Sequence, residues 1–539
     1  MSRMLNKAEK LASIFDSADI VNALLTRTHG AEADAMRTLQ SKLTDYRTIF
    51  DVIGDEAIIA QIRAGTYQGT VGHWVNQAFQ KFGVVRLPAG VYRIGPDAPI
   101  VPSNDHQWLV GDGPGLTIIE GVGAGFAVID CTTKTDFMVD GLTIQRTVAA
   151  KPAGVPAYTV NDGATAYRLS DSHGCGMNNV VIKGIWDVAL DWRGHLPGQA
   201  NHQYIYMLDR VSIEAECRIS FAVGMIGGPV QELFISRLQI RGGTVDGLVF
   251  YNASGVYPLV ISILQGHTAL AARPGVGQVV RYLRGFNLVA DSTDGPCVVI
   301  DTSAGGIAET WDGEIWGASS KDEHGVYAIE GAGTINGMKL SITGTNSKKC
   351  GIFWQGGSRL DFELQVGKNS TAGSALYPNV KFVGVQDFYV DGYAAGVGSS
   401  DFPELASYAI SIDADCRDGH IIDCGCDGTV LGPIEDLAPD TIIERCVGVV
   451  TEVVVAVTIA VGNNSGSAPH GLTLLPTLKD VISVEPLNPP PTSGLGTAPI
   501  KAGIDATVVA LVCDPPIPSG AAPMLCDVRI KTRSGAKIL

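Results

Sequence analysis

The densest group of chemistry-bearing residues runs from Glu309 to Trp316. It places three carboxylates and two indoles in eight positions: Glu309, Trp311, Asp312, Glu314 and Trp316. Paired carboxylates are the equipment of glycoside hydrolysis. One protonates the leaving oxygen and the other acts as base or nucleophile, while indole faces hold sugar rings. Side chains alternate along an extended strand, so Asp312 and Glu314 share a face. Alternate positions lie about 6.5–7 Å apart, room enough for a water between the two carboxyls of an inverting pair. Asp312, Glu314 and Glu309 are thus the candidate catalytic groups, and Trp311 and Trp316 the candidate sugar platforms. Asp322, Glu323 and His324 follow closely. A second group, Trp186, Asp187, Asp191 and Trp192 with Arg193, repeats the combination and is a candidate binding site. The competing reading of both groups is structural: carboxylates decorating a solvent face and indoles packed over rung ends.

Other chemistries find less support. No GxSxG signature or Ser-His-Asp order appears, which argues against an esterase. A lyase needs a base, and often Ca²⁺ held by clustered Asp; Lys and Arg are scarce beside these acidic groups, so hydrolysis is favoured. The eleven cysteines are spread along the chain, and Cys424, Cys426 and Cys446 form only a loose cluster. No CxxC pair or nearby His pair completes a metal site, so no metal and no cofactor is expected. Buried small hydrophobes are the simplest reading of these cysteines.

Composition says what elements must hold such residues. Of 539 residues, 45% are hydrophobic and only 17% charged, so this is no disordered chain. Glycine is abundant, with 65 residues, but has no Gly-X-Y period. The net charge of −16 argues against general nucleic-acid binding and against docking on an anionic membrane. It also leans toward a neutral or weakly charged partner. Met1 to Lys10 is charged and offers no apolar signal core. The most apolar stretch, 447–462, is short and Val-rich and reads as strand rather than membrane span.

Residues 1–65 contain no proline and read as helical. Met36, Leu39, Leu43, Tyr46, Phe50 and Ile53 are spaced 3-4-3-4-3, a short heptad seam suited either to packing on its own domain or to an oligomeric bundle. From residue 66 to 430, β-branched runs alternate with Gly, Asn and Asp turns. The pattern of 137–144 returns at 205–213, 233–240, 335–342 and 360–366. Val211 to Leu238 is 27 residues and Leu340 to Leu364 is 24. Loose periods of this length imply stacked coils of short strands. The fold expected is mainly β: a right-handed parallel β-helix, with a short helical N-terminal region and a small antiparallel β domain over 431–539.

The most specific motifs lie at 84–119. Val84-Val85-Arg86-Leu87-Pro88-Ala89-Gly90-Val91-Tyr92-Arg93-Ile94 is followed by Gly111-Asp112-Gly113-Pro114-Gly115-Leu116-Thr117-Ile118-Ile119. A strand, not a helix, follows these glycines, so they are not a dinucleotide-binding turn. Together the two motifs resemble the opening rungs of pectin-lyase-like β-helices, above all those of bacteriophage tailspikes. Ser467 to Leu472 with Pro476 and Pro486 is similar to a C-terminal β domain of phage tail proteins, where His470 would be structural. The resemblance implies a homotrimer carried on the virion tail. Its N-terminal region would join tail or baseplate proteins, its C-terminal domain would trimerise or bind glycan, and its solenoid would bind and cleave a host surface polysaccharide. A non-catalytic receptor-binding or structural tail fibre, and a bacterial polysaccharide enzyme, are the alternatives.

Overall fold

The computed structural model describes residues 47–146, 163–194, 205–241, 243–316, 319–343, 346–367, 369–372, 376–394, 406–426, 429 and 431–446. Beyond these it describes 450–460, 465–469, 472–473, 481–487, 501–504, 508–512 and 524–538. The chain is mainly β, a parallel solenoid of about eleven turns with few helices. His470 and most of the heptad seam lie outside the described residues.

Two glycine-rich motifs build the first rungs. Val84–Leu87 pairs in parallel with Trp108–Gly111, and Gly90–Ile94 with Thr117–Gly121. Asp112 ties the motifs together, accepting hydrogen bonds from the Ala89 amide (2.9 Å) and from Arg86 Nε (3.2 Å). Thr117 Oγ1 donates to the Leu87 carbonyl and accepts from the Asp112 amide, both at 2.9 Å. Gly111 cannot be replaced: a Cβ there would stand 2.4 Å from the Gly141 carbonyl oxygen of the next rung.

Three helices close this end: α1 (Phe50–Ile53), α2 (Glu56–Ala64) and α3 (Gly72–Lys81). Asp55 caps α2 by accepting the amides of Ala57 and Ile58. The apolar face of α3 buries Val75, Ala78 and Phe79, and Phe79 meets Phe137 edge-on at 5.8 Å. The open top of the solenoid core is thereby shielded from water. None of the described helices is long and apolar enough to cross a membrane.

The rungs bend at a shared corner. Glu232, Gly255, Tyr282, Thr310, Gly337, Arg359, Asp387 and Asp418 occupy one register column, and all have φ between 50° and 75°. Only two of the eight are glycines, so stacking overrides a left-handed cost of about 1–2 kcal/mol per L-residue. The structure also corrects one repeat assignment. Val211 does pair with Leu238, but Leu340 pairs with Phe362 rather than Leu364, so that period is 22 residues. A slip of two leaves every side chain on its original face, and a period-2 pattern alone cannot detect it.

Parallel pairing continues beyond residue 430, through Gly432–Asp436 and Ile442–Glu444. The strands after it are antiparallel. Val450–Ile459 and Val481–Leu487 flank Met524–Ile538, and Ser465–Pro469 and Lys501–Ile504 flank Val508–Val512.

Candidate active site

An open groove of about 400 Å³ crosses four successive rungs midway along the solenoid. Asn287, Asp312, Glu314, Lys339, Ser341, Asp361 and Glu363 line it over a floor of Phe286, Gly313 and Leu340. Strand alternation turns these polar side chains outward, while Trp311, Ile315, Leu360, Phe362 and Leu364 fill the core. The floor depends on Gly313. A Cβ there would lie 2.4 Å from the Phe286 ring, so any side chain would have to displace that ring from beneath the groove.

Parallel register arranges the outward residues in two columns. One reads Arg284, Asp312, Lys339, Asp361, Tyr389 and His420; the other reads Asn287, Glu314, Ser341, Glu363 and Asp391. The first column alternates in charge over its first four members, with Lys339 Nζ 3.6 Å from Asp361. The second carries acceptors without a cation. Asn287 Nδ2 donates to Glu314 at 3.4 Å, and Glu363 and Asp391 are direct register partners. Burial, and then the charges of Glu363, Asp361 and Asp423, push the Asp391 carboxyl above the usual range; Lys339 opposes them. A carboxyl held toward its protonated form is what a general acid requires.

Asp312, Glu314 and Trp316 project from the same face of Ile307–Trp316, and Trp316 is 55% exposed. The other candidates stand elsewhere. Glu309 lies across the corner at Thr310, outside the groove, with Arg281 at 3.9 Å. Trp311 is buried and donates its indole N–H to the Val280 carbonyl. It is a core residue, because a ring with both faces packed offers none to a sugar.

The second group is structural throughout. Trp186 is buried, with its indole N–H on the Lys183 carbonyl, and Trp192 is buried between Tyr206 and Phe221. Asp187 is held by Arg218 at 2.6 Å, and Asp191 by Arg193 at 2.7 Å and Arg168 at 3.5 Å. His324 is buried too, stacked on Tyr327 with Nδ1 accepting the Cys350 amide. The nine described cysteines that stand unpaired are all buried, and no cluster of His, Cys, Asp or Glu able to hold a metal occurs among the described residues.

Sequence reasoning missed Asp361 and Glu363, which lie 22 and 24 residues from Lys339 and reach the groove only through stacking, and Asp391, which stands beside Glu363 on the rung after the groove. It also missed the cations: Arg284 and Lys339 flank Asp312 from adjacent rungs. The signal was present in the repeat at 360–366, where Asp361 and Glu363 occupy outward positions.

No protein-family model matches the chain, and no curated protein matches it. Solved structures similar to it include several phage tailspikes. The tailspike of Pseudomonas phage phi297 is 10% identical, with 90% of this chain and 98% of that one covered and a TM-score of 0.41. Tailspike protein 3 of bacteriophage CBA120 is 14% identical, with 77% and 63% covered and a TM-score of 0.43. The A-module of Azotobacter vinelandii mannuronan C-5 epimerase AlgE6 is 14% identical, with 74% and 98% covered and a TM-score of 0.37. Each is a likeness of overall form, and none assigns a residue of the groove.

Proposed function

We propose that this chain is a phage tailspike that binds a host surface polysaccharide along the groove and hydrolyses it there. The observation that carries the reading is the double column of outward carboxylates, Asp312 and Glu314, Asp361 and Glu363, then Asp391, beside the exposed indole of Trp316. A glycan laid along the solenoid axis meets a new pair of polar side chains at every rung, about 4.8 Å on. Two carboxylate pairs have usable spacings. Asp312 and Glu314 are alternate residues of one strand, at the roughly 6.5–7 Å of an inverting pair. Glu363 and Asp391 are one rung apart, close to the roughly 5–5.5 Å of a retaining pair. Burial and the neighbouring carboxylates raise the Asp391 carboxyl, so it serves as the acid, with Glu363 as its partner.

The same proposal makes the protein a homotrimer on the virion tail. The N-terminal region joins tail or baseplate proteins, and the C-terminal strands trimerise it or bind glycan.

The test is incubation with extracted bacterial surface polysaccharides, followed by assays for new reducing ends and for unsaturated sugars. Reducing ends without unsaturation support hydrolysis, and unsaturation reassigns the reaction to elimination. Retained binding without cleavage reduces the protein to a receptor-binding spike. Product stereochemistry by NMR separates the pairs: retention assigns Glu363 and Asp391, inversion Asp312 and Glu314. Light scattering tests the trimer, which a stable monomer would sink.

A further inference from the structure

One rung before the carboxylates, the same outward column changes character. Met207, Phe234 and Tyr257 succeed one another in register; on the next rung Val256 pairs with Leu283, and Arg284, the residue after it, pairs with Asp312. The rings of Phe234 and Tyr257 stack at 5.0 Å with 17° between their planes. At the corner, Tyr282 is exposed and has two guanidinia over its ring, Arg281 at 5.4 Å and Arg284 at 5.5 Å from its centroid.

The two arginines differ in what they are free to do. Arg281 donates to Ser254 Oγ at 3.2 Å and has Glu309 at 3.9 Å. Arg284 has no hydrogen-bond or ion-pair partner among the described residues, although Asp312 stands beside it in register. Its guanidinium lies over the Tyr282 ring, 5.5 Å from the centroid. A guanidinium backed by an aromatic face keeps its planar fork of donors available for a bidentate acceptor, which a lysine in its place would not supply.

The geometry points to an anionic-sugar subsite at Arg284, with Tyr282 as its aromatic wall, on the N-terminal rung of the groove and one rung before Asp312. The inference rests on the glycan reading of that groove and adds a substrate class: the polysaccharide carries an acid group on the sugar seated over Arg284. In the column that carries no cation, Glu314, Glu363 and Asp391 repel that group from the later rungs. Arg284 therefore sets the register of the chain as well as its affinity, placing each charged sugar at the cationic end and the bond to be cut among the carboxylates.

The experiment takes the polysaccharide bound or cleaved in the test above, determines its sugar composition, and compares it with its carboxyl-reduced neutral form. Binding is measured by calorimetry on the full chain. The native form should bind at least tenfold tighter than the reduced one. Arg284→Ala should abolish that difference, while Arg284→Lys should restore only part of it. Circular dichroism on each variant checks the fold. A glycan without acidic groups, equal binding of the two forms, or a preference that survives Arg284→Ala overturns the inference and leaves the glycan reading standing. If no polysaccharide is bound at all, the glycan reading fails and the subsite fails with it.

Discussion

Glu363 and Asp391 occupy the same register position on successive rungs, so their backbones stand one strand spacing apart, about 4.8 Å. Neither residue is near the other in sequence, and no cation lies between them in their column. Asp391→Asn and Glu363→Gln should each slow depolymerisation by about 10²–10⁴-fold, the usual worth of a positioned acid or base. Reducing-end assays on folded variants read this directly.

The raised Asp391 carboxyl also has a signature in stability. Its proton is held more tightly in the folded chain than in the unfolded one. The stabilisation is therefore full below the ordinary carboxyl range and is lost as pH rises through the folded value. Asp391→Asn should melt slightly above the parent at pH 7, and the difference should vanish near pH 3. A neutral-pH melting point below the parent's would contradict this electrostatic account.

Trp311 and Trp316 are five residues apart and face opposite ways. Trp311→Ala should cost about 3–5 kcal/mol of stability, as large-to-small changes in a packed core do. Trp316→Ala should stay within about 0.5 kcal/mol of the parent while weakening glycan binding. Denaturant melts beside binding isotherms separate the two effects.

Gly313 and Gly337 test two different uses of glycine. Gly313→Ala drives a methyl into the Phe286 ring and should cost about 1–3 kcal/mol while deforming the groove floor. A Cβ at Gly337 would meet only ordinary van der Waals contacts, the nearest being Thr310 N at 3.7 Å, but its φ is 65°. Gly337→Ala should cost about 1–2 kcal/mol through backbone strain alone, with glycan binding retained. Equal loss of binding in both variants would show that the floor is not specific to Gly313.

His324 makes the chain sensitive to mild acid. Burial, and then Lys349, depress its imidazole to about 4, and Glu323 only partly opposes them. The unfolded imidazole takes its proton near pH 6.5. The folded state is thus favoured above that value and loses this stability as pH falls from about 6.5 toward 4. His324→Gln should flatten the fall in melting temperature across that window. An unchanged pH profile would place the titrating group elsewhere.

Much of the solenoid was legible because its signals are local. Alternation along 307–316 already puts Asp312 and Glu314 on one face, and Pro88-Ala89-Gly90 with Gly111-Asp112-Gly113 already reads as turns between strands. The same local signal misjudged the indoles. Trp186, Trp192 and Trp311 sit beside carboxylates in sequence, yet inward positions of a coil are apolar whatever their neighbours are.

The sequence by itself determined a stack of short strands, with glycine where backbones meet and a carboxylate pair facing outward. Only the tertiary structure decided which rungs lie together. Asp312 to Lys339, Lys339 to Asp361 and Asp361 to Tyr389 are separated by 27, 22 and 28 residues, yet each pair is adjacent in register. Turns of unequal length erase a fixed period, and inter-strand hydrogen bonding restores a constant rise of about 4.8 Å per rung. That rise brings Asp361 and Glu363 within two rungs of the predicted pair, with Asp391 one rung further, and sets Arg284 next to Asp312. The groove is a property of the stacking, since no single strand contains it.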